Sequence, residues 1–293
     1  MLNSFLNSCN RTIVGNEFNL KLSLASIISE GSILIEDYPG TGKTTFAKTL
    51  TNNLGLDFKR IQFTSDLLPS DILGYNFFKG NEQVFQKGPI FTNVVFADEL
   101  NRGSAKSQSA FLEAMEEKNI TIDGITNKLP FPFFVIATQN PMDSSGTSTL
   151  PDSQLDRFMI SFSLSELNDQ DKVSMLKNNI DLSKINSETV DWKNIQDKKN
   201  KINVSDEIYD YVLQIEQTIK ALDQEIYISA RCLKQIIDLA KGWALVHSKD
   251  YVTHQDIKDV LSYILRHRIK FLKQDEKKDF VNQEILGKID IKR

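Results

Sequence analysis

An α/β core followed by an all-helical region is the fold class that the sequence predicts. From residue 32 to about 162, short apolar runs alternate with helical patterns, as in a doubly wound parallel sheet. Beyond about residue 168 no strand-like run remains, and only amphipathic helical patterns continue. Between the first strand and the first helix lies a glycine-bearing loop that ends in Lys43-Thr44. Open α/β sheets bind their ligands at such carboxyl ends of strands.

The candidate strands cover residues 32–35, 59–63, 94–97, 133–138 and 159–162. "VVFA" and "FFVIAT" are continuously apolar rather than alternating, as expected of parallel strands covered on both faces. Helical patterns at 44–54 and 104–117 lie between them. Two hairpins are expected within the core. In "YNFFKGNEQVFQKGP" (75–89), Lys79-Gly80-Asn81 lies between aromatic runs. In "NITIDGITNKLP" (119–130), Asp123-Gly124 sits between alternating apolar residues, a strong signal for a two-residue turn. In the second half, helices are expected at about 170–180, 204–220, 230–248 and 255–270. Ser205 precedes one apolar-periodic run, and Thr253 stands three residues before Asp256, the spacing of a capping box. The lysine-rich stretch 183–203 reads as a solvated connection with a short helix. These patterns divide the chain into an α/β domain of residues 1–165 and a helical domain of residues 166–293.

Composition narrows the function. At 293 residues, with 40% hydrophobic and 25% charged residues, the chain can bury a core of ordinary size. A formal net charge of −4 gives no sign of a broad nucleic-acid or anionic-membrane surface. Cys9 and Cys232 are the only cysteines, and there are three histidines. That leaves neither zinc spacing nor a disulfide framework, and suggests two reduced thiols in a cytoplasmic protein. The start lacks the pattern of a signal peptide, and no window resembles a membrane span.

"ILIEDYPGTGKTTF" carries the chemistry. Apolar strand, loop, then Lys43-Thr44 opening a helix is the context of a phosphate-binding loop. Gly40 and Gly42 let the backbone approach phosphates, which the helix amino terminus attracts. Lys43 suits the β- and γ-phosphates, and the Thr44 hydroxyl suits Mg²⁺. Asp37 occupies the position of the motif's first glycine; it fits if its side chain turns away from the polyphosphate. "VVFADE" ends a buried strand in Asp98-Glu99. A carboxylate there is expensive unless it serves a ligand. Asp98 is placed to hold Mg²⁺ through water, and Glu99 to deprotonate an attacking water, the division of labour of phosphoryl transfer. "FFVIATQN" puts Asn140 at the same sheet edge, to fix that water or contact the γ-phosphate. As an Asn-Pro pair it also reads as a plain turn start. Arg157 in "LPDSQLDRF" and Arg231 in "ISARCL" are suited to phosphoryl-group charge, although an ion pair explains either one equally well.

With these residues in view, the chain resembles an AAA+ ATPase of the MoxR family. The resemblance covers "ILIEDYPGTGKT", "RIQFTSDLLPSDILG", "GPIFTNVVFADELNRGSAKSQSAFLEAMEEKNITIDG", "PFFVIATQNP", "LPDSQLDRF", "ISARCL" and "DYVTHQDIKDVLSYILRHRI". It implies a core sheet in the order 5-1-4-3-2, a helical lid, ATP and Mg²⁺ as ligands, and a hexameric ring. Pro39, Gly40, Thr41, Gly42, Lys43, Thr44 and Thr45 match its phosphate loop. Thr44 and Asp98 match its metal site, Glu99 its catalytic acid and Asn140 its sensor. Arg157 matches its arginine finger, which reaches a neighbouring subunit, and Arg231 a second sensor on the lid. Val14 and Gly15 in "TIVGNE" match the segment that packs on adenine. The two hairpins match family insertions that project toward pore or partner, which makes both candidate substrate contacts, although a plain surface hairpin explains any single side chain at least as well. Family clients include von Willebrand factor A-domain proteins and metalloenzymes that need a cofactor inserted. Two departures fall at helix starts: Gly103-Ser104 loosens one, and Ala230 in place of proline leaves the other less fixed.

Two other classes remain. A nucleic-acid translocase or restriction-type motor would require a basic and aromatic stripe, and the acidic balance argues against one. A slow, nucleotide-switched assembly scaffold would use the same motifs. Pro130 stands where "TNKLP" would need a base-reading aspartate for guanine, so ATP is the expected nucleotide.

Overall fold

The computed structural model describes residues 5, 6, 8, 9, 13, 15–140, 150–164, 169, 173, 190–222 and 224–289. Nine strands are described: β1 (Ile33–Glu36), β2 (Phe58–Gln62), β3 (Gly74–Lys79), β4 (Glu82–Lys87), β5 (Val94–Asp98), β6 (Asn119–Ile122), β7 (Ile125–Lys128), β8 (Phe134–Gln139) and β9 (Ile160–Phe162). The helices are α1 (Glu17–Ile28), α2 (Lys43–Asn53), α3 (Pro69–Leu73), α4 (Ala105–Glu117), α5 (Asp152–Leu155), α6 (Trp192–Asn200), α7 (Asp206–Lys220), α8 (Ala230–Val246), α9 (His254–Leu265) and α10 (Lys277–Phe280).

Five strands form a parallel sheet in the order β2-β5-β8-β1-β9. Numbered among themselves along the chain, these are 2-3-4-1-5, the expected 5-1-4-3-2 read from the other edge. β5 is buried along its whole length and β8 in all but its last residue, Gln139, which explains why both are continuously apolar. The register sets Gln62 opposite Asp98 and Ala97 opposite Ala137. The tips of β2, β5 and β8 therefore end close together.

Both hairpins form. β3 pairs antiparallel with β4, and β6 with β7. The second turns on Asp123 and Gly124 at φ of 50° and 79°, the left-handed pair such a turn requires. A hydrogen bond of 2.7 Å from Asn76 Nδ2 to Asp123 Oδ2 ties the hairpins together.

Packing divides the chain into two compact units that are discontinuous in sequence. The first comprises Met1–Leu20, Leu34–Leu150 and Ser163–Val190; the second comprises Lys21–Ile33, Pro151–Phe162 and Asp191–Arg293. The apolar pattern alone suggested one crossing near residue 165. The structure shows instead that most of α1 and the segment from α5 to β9 share a core with the C-terminal helices. In that core the glycine at 242 lies so close to the backbone of Ala25 that a Cβ there would collide with the Ala25 carbonyl. The Ser29 hydroxyl donates to the Asp238 carbonyl at 2.7 Å.

Several local expectations need correction. The helix expected at 255–270 ends at Leu265, where Arg268 N turns back to the Leu265 carbonyl at 2.9 Å. The capping box at its start is present, with Thr253 Oγ1 accepting from Asp256 N and Asp256 Oδ2 accepting from Thr253 N. Neither departure loosens a helix. Ser104 caps α4 by accepting from Ser107 N, and Ser229 caps α8 by accepting from Cys232 N; each replaces a missing backbone partner. Within the stretch expected to be solvated, α6 buries Trp192, Ile195 and Lys199. Of the helix expected at 170–180 only residue 173 is described, and it is helical; the rest lies outside the described residues. No described helix is long and apolar enough to cross a membrane.

Candidate functional site

In the first unit, the tips of β1, β5 and β8 open onto a cleft of about 390 Å³. Its walls are Pro39, Gly40, Gly42, Lys43, Thr44, Thr45, Asp98, Glu99, Thr138, Gln139 and Asn140. The structure thus brings together the phosphate loop, the acidic pair and the expected sensor, which the sequence spreads over a hundred residues.

The loop is built by backbone conformation. Gly40 and Gly42 have φ of 85° and 89°, and a Cβ on either would meet nothing within 4 Å. What demands glycine here is the left-handed backbone and room for a ligand, not a packed neighbour. Gly42 caps α2 without any side chain on the helix end, so free N–H groups and the positive end of the helix dipole face the cleft. Lys43 Nζ donates to the carbonyls of Asp37 and Tyr38 at 2.9 and 2.6 Å. Burial pulls the Lys43 ammonium below its ordinary pKa, against the opposing charges of Asp37, Asp98 and Glu99. Phosphate charge would complete its partners.

Asp37, the residue in the first-glycine position, is buried and does not line the cleft. Its Oδ1 accepts from Tyr38 N at 2.8 Å and its Oδ2 from Leu164 N at 3.1 Å. The carboxylate therefore braces the loop from behind.

The acidic pair is held by groups that sequence reading missed. Thr138 Oγ1 donates to Asp98 Oδ1 at 2.7 Å and accepts from Glu99 N at 2.9 Å. Arg60 donates twice to Asp98 Oδ2, at 2.5 and 3.1 Å. Gln62 Nε2 donates to Glu99 Oε2 at 2.9 Å, with Arg102 Nη1 at 3.4 Å from the same oxygen. Glu99 adopts φ 53° and ψ 48°, a left-handed conformation that costs a non-glycine residue on the order of 1 kcal/mol or more. Such strain at the tip of a buried strand is typical of a working side chain. On the far side of the cleft, Gln139 Nε2 donates to Glu36 Oε1 at 2.6 Å, and Asp37 N donates to the Gln139 carbonyl at 3.3 Å. Asn140 follows directly at the rim.

Not every expected residue lines this cleft. Thr41 donates from Oγ1 to the Tyr38 carbonyl at 3.1 Å and shapes the loop rather than its wall. Gly15 is exposed at φ 73° and is not among the lining residues, while Val14 lies outside the described residues. Arg157 and Arg231 belong to the second unit. There Arg157 is half-buried at the end of α5, and Arg231 Nη1 donates to Asp156 Oδ2 at 3.1 Å. Cys9 and Cys232 are free and buried thiols.

Comparison with known proteins bears on this geometry. Residues 32–160 match the model of the ATPase family associated with various cellular activities (AAA), and residues 216–289 match an AAA lid domain. The chain is 38% identical over 277 residues to YeaC of Bacillus subtilis, covering 92% of this chain and 87% of that one. It is 33% identical over 291 residues to the chaperone MoxR1 of Mycobacterium tuberculosis, covering 94% and 77%. A crystal structure of a Cytophaga hutchinsonii protein assigned to the ATPases superposes with a TM-score of 0.86 at 33% identity, covering 99% of this chain and 94% of that one.

Proposed function

The chain belongs to the MoxR family of AAA ATPases, and from that premise we propose that it hydrolyses ATP in the cleft above β1, β5 and β8 to remodel a protein client. The observation that carries this reading is the convergence of Lys43, Asp98, Glu99 and Asn140 on one cleft.

The loop N–H groups and Lys43 hold the polyphosphate. Glu99 accepts the proton of the attacking water, and Asn140 orients that water or the γ-phosphate. The hard oxygen donors at the site, the Thr44 hydroxyl and the Asp98 carboxylate, suit Mg²⁺ and would hold it. Held there, Mg²⁺ would supply positive charge against the polyphosphate. Thr138 and Arg60 keep the Asp98 oxygens aimed until then. Subunits assemble as a hexameric ring in which Arg157 serves a neighbour's ATP, and Arg231 senses the nucleotide from the helical lid. Val14 and Gly15 pack near adenine. The client is a protein, such as a von Willebrand factor A-domain partner or a metalloenzyme awaiting its cofactor, and the setting is the cytoplasm, in keeping with the two buried free thiols.

Replacing Glu99 by Gln tests the assignment. Turnover falls by about 100-fold or more while ATP binding persists, and the nucleotide-locked assembly retains its client for identification by mass spectrometry. Hydrolysis at the wild-type rate would remove Glu99 from the mechanism.

A further inference from the structure

Immediately before Arg157 stands Asp156, whose side chain is only 5% exposed. Three side chains from later in the chain converge on its carboxylate. Arg268 Nη2 donates to Oδ1 at 3.0 Å, Arg231 Nη1 donates to Oδ2 at 3.1 Å, and Ser229 Oγ lies 2.9 and 2.8 Å from the two oxygens. The main chain is clamped as well. Gln235 Nε2 and Arg268 Nη2 each donate to the Asp156 carbonyl at 3.3 Å, and Arg268 Nη2 also reaches the Phe158 carbonyl at 3.5 Å. One guanidinium thus contacts the backbone on both sides of Arg157.

Arg268 is itself saturated. Only 3% of its side chain is exposed, and it donates to the Ile264 carbonyl, to Gln235 Oε1 at 2.8 Å and to His267 Nε2 at 2.7 Å. A buried ion pair of this kind contributes little net stability compared with a well-packed apolar replacement. A planar guanidinium fork does impose direction. What the network supplies is an orientation for residues 156–158, referred to α8 and to the turn after α9. Every residue in it belongs to the second unit.

We propose that Asp156 and Arg268 are positioning residues for Arg157, fixing the backbone from which it reaches a neighbouring subunit's nucleotide and linking it to Arg231 through a shared carboxylate. The inference rests on the reading of Arg157 as an arginine finger. It goes beyond that reading by naming the groups that aim the finger. Because Arg231 holds one oxygen of Asp156 while Arg268 holds the other, release of Arg231 toward a nucleotide leaves Asp156 still paired and alters only the balance of its contacts.

A purely structural network and a positioning one differ in trans. Subunits carrying Lys43→Ala, which turn over no ATP themselves, are mixed into wild-type rings at increasing ratio. Their effect is compared with that of Lys43→Ala combined with Arg157→Ala, Asp156→Asn or Arg268→Lys. Co-assembly is checked by size and melting temperature. If Asp156 and Arg268 aim the finger, both positioning doubles suppress the neighbouring wild-type sites as Arg157→Ala does. The expected loss is about 10- to 100-fold in kcat per affected site, the scale of a misplaced catalytic group, with KM for ATP unchanged. If the positioning doubles act no differently from Lys43→Ala alone while the Arg157→Ala double suppresses, the network is structural and the inference falls. If the Arg157→Ala double itself adds nothing, the role of Arg157 in trans fails and carries the inference with it. Arg268→Lys keeps a charge on Asp156, so it decides the matter even where Asp156→Asn does not assemble.

Discussion

Replacing Asp37 by glycine separates two roles that the phosphate-loop motif runs together. The substitution restores the motif's first glycine, so motif logic alone predicts a better nucleotide site. The structure predicts little change in affinity and a clear loss of stability. Asp37 Oδ2 takes the Leu164 N–H and Oδ1 takes the Tyr38 N–H. Tyr38 is 56% exposed, so its N–H finds water when the carboxylate goes. The Leu164 N–H loses a charged acceptor, which costs about 1.5–3 kcal/mol. Glycine adds about 0.5–1 kcal/mol through the freedom it gives the unfolded chain. The sum is about 2–4 kcal/mol, or a drop of roughly 4–16 °C in Tm at 2–4 °C per kcal/mol. Thermal unfolding followed by circular dichroism, together with titration of a fluorescent ATP analogue, measures both terms. Affinity is expected to stay within about threefold of wild type, because the removed charge would only have repelled phosphate, whereas Lys43→Ala loses binding by about 100-fold or more. An unchanged Tm, or a loss of affinity equal to that of Lys43→Ala in the folded variant, would refute the bracing role.

Three further outcomes follow from the geometry. Thr138→Val keeps shape but removes both the donor to Asp98 and the acceptor for Glu99 N. It lowers stability by about 1–3 kcal/mol in denaturant titrations and lowers kcat more than it raises KM. Burial pushes the Cys9 thiol up to about 12 and the Cys232 thiol up to about 11; iodoacetamide at pH 8 labels neither in the native protein and both after denaturation. Burial, reinforced by Arg268 and Lys277, holds His267 neutral with its pKa well below 6.5. The unfolded chain takes up a proton as pH falls through about 6.5, so the folded state loses about 1.4 kcal/mol per pH unit below that point and nothing above it. Stability measured against pH is expected to be shallower by that slope in His267→Gln, and identical slopes would show that His267 titrates alike in both states.

The core strands were legible because parallel strands buried on both faces leave continuous apolar runs, and "VVFADE" and "FFVIATQN" contain both the run and its polar tip. The cleft was legible for the same reason, since each motif sits where a strand ends. Arg60 and Gln62 were not. On β2 they look like ordinary exposed residues of "FKRIQ", and only the pairing of Gln62 with Asp98 places them against the acidic pair. Helix α1 escaped because it is buried almost all round, and a helix without a polar face has no 3.6-residue contrast to detect. Asp156 carries no sequence signal of its own, because its side-chain partners lie more than seventy positions away. Long-range polar pairing leaves no local trace in a sequence, while apolar periodicity does.

The discontinuity of the second unit sets an order of synthesis. Residues 21–33 and 151–162 leave the ribosome well before the helices with which they share a core. Until α8 emerges with its glycine at 242, the part of α1 around Ala25 lacks the backbone that packs against it. A nascent chain halted before α8 would present that surface to chaperones while much of its phosphate loop and sheet were already complete. Early termination and misfolding would then be signalled at the amino-terminal helix, far in sequence from the point where synthesis stopped.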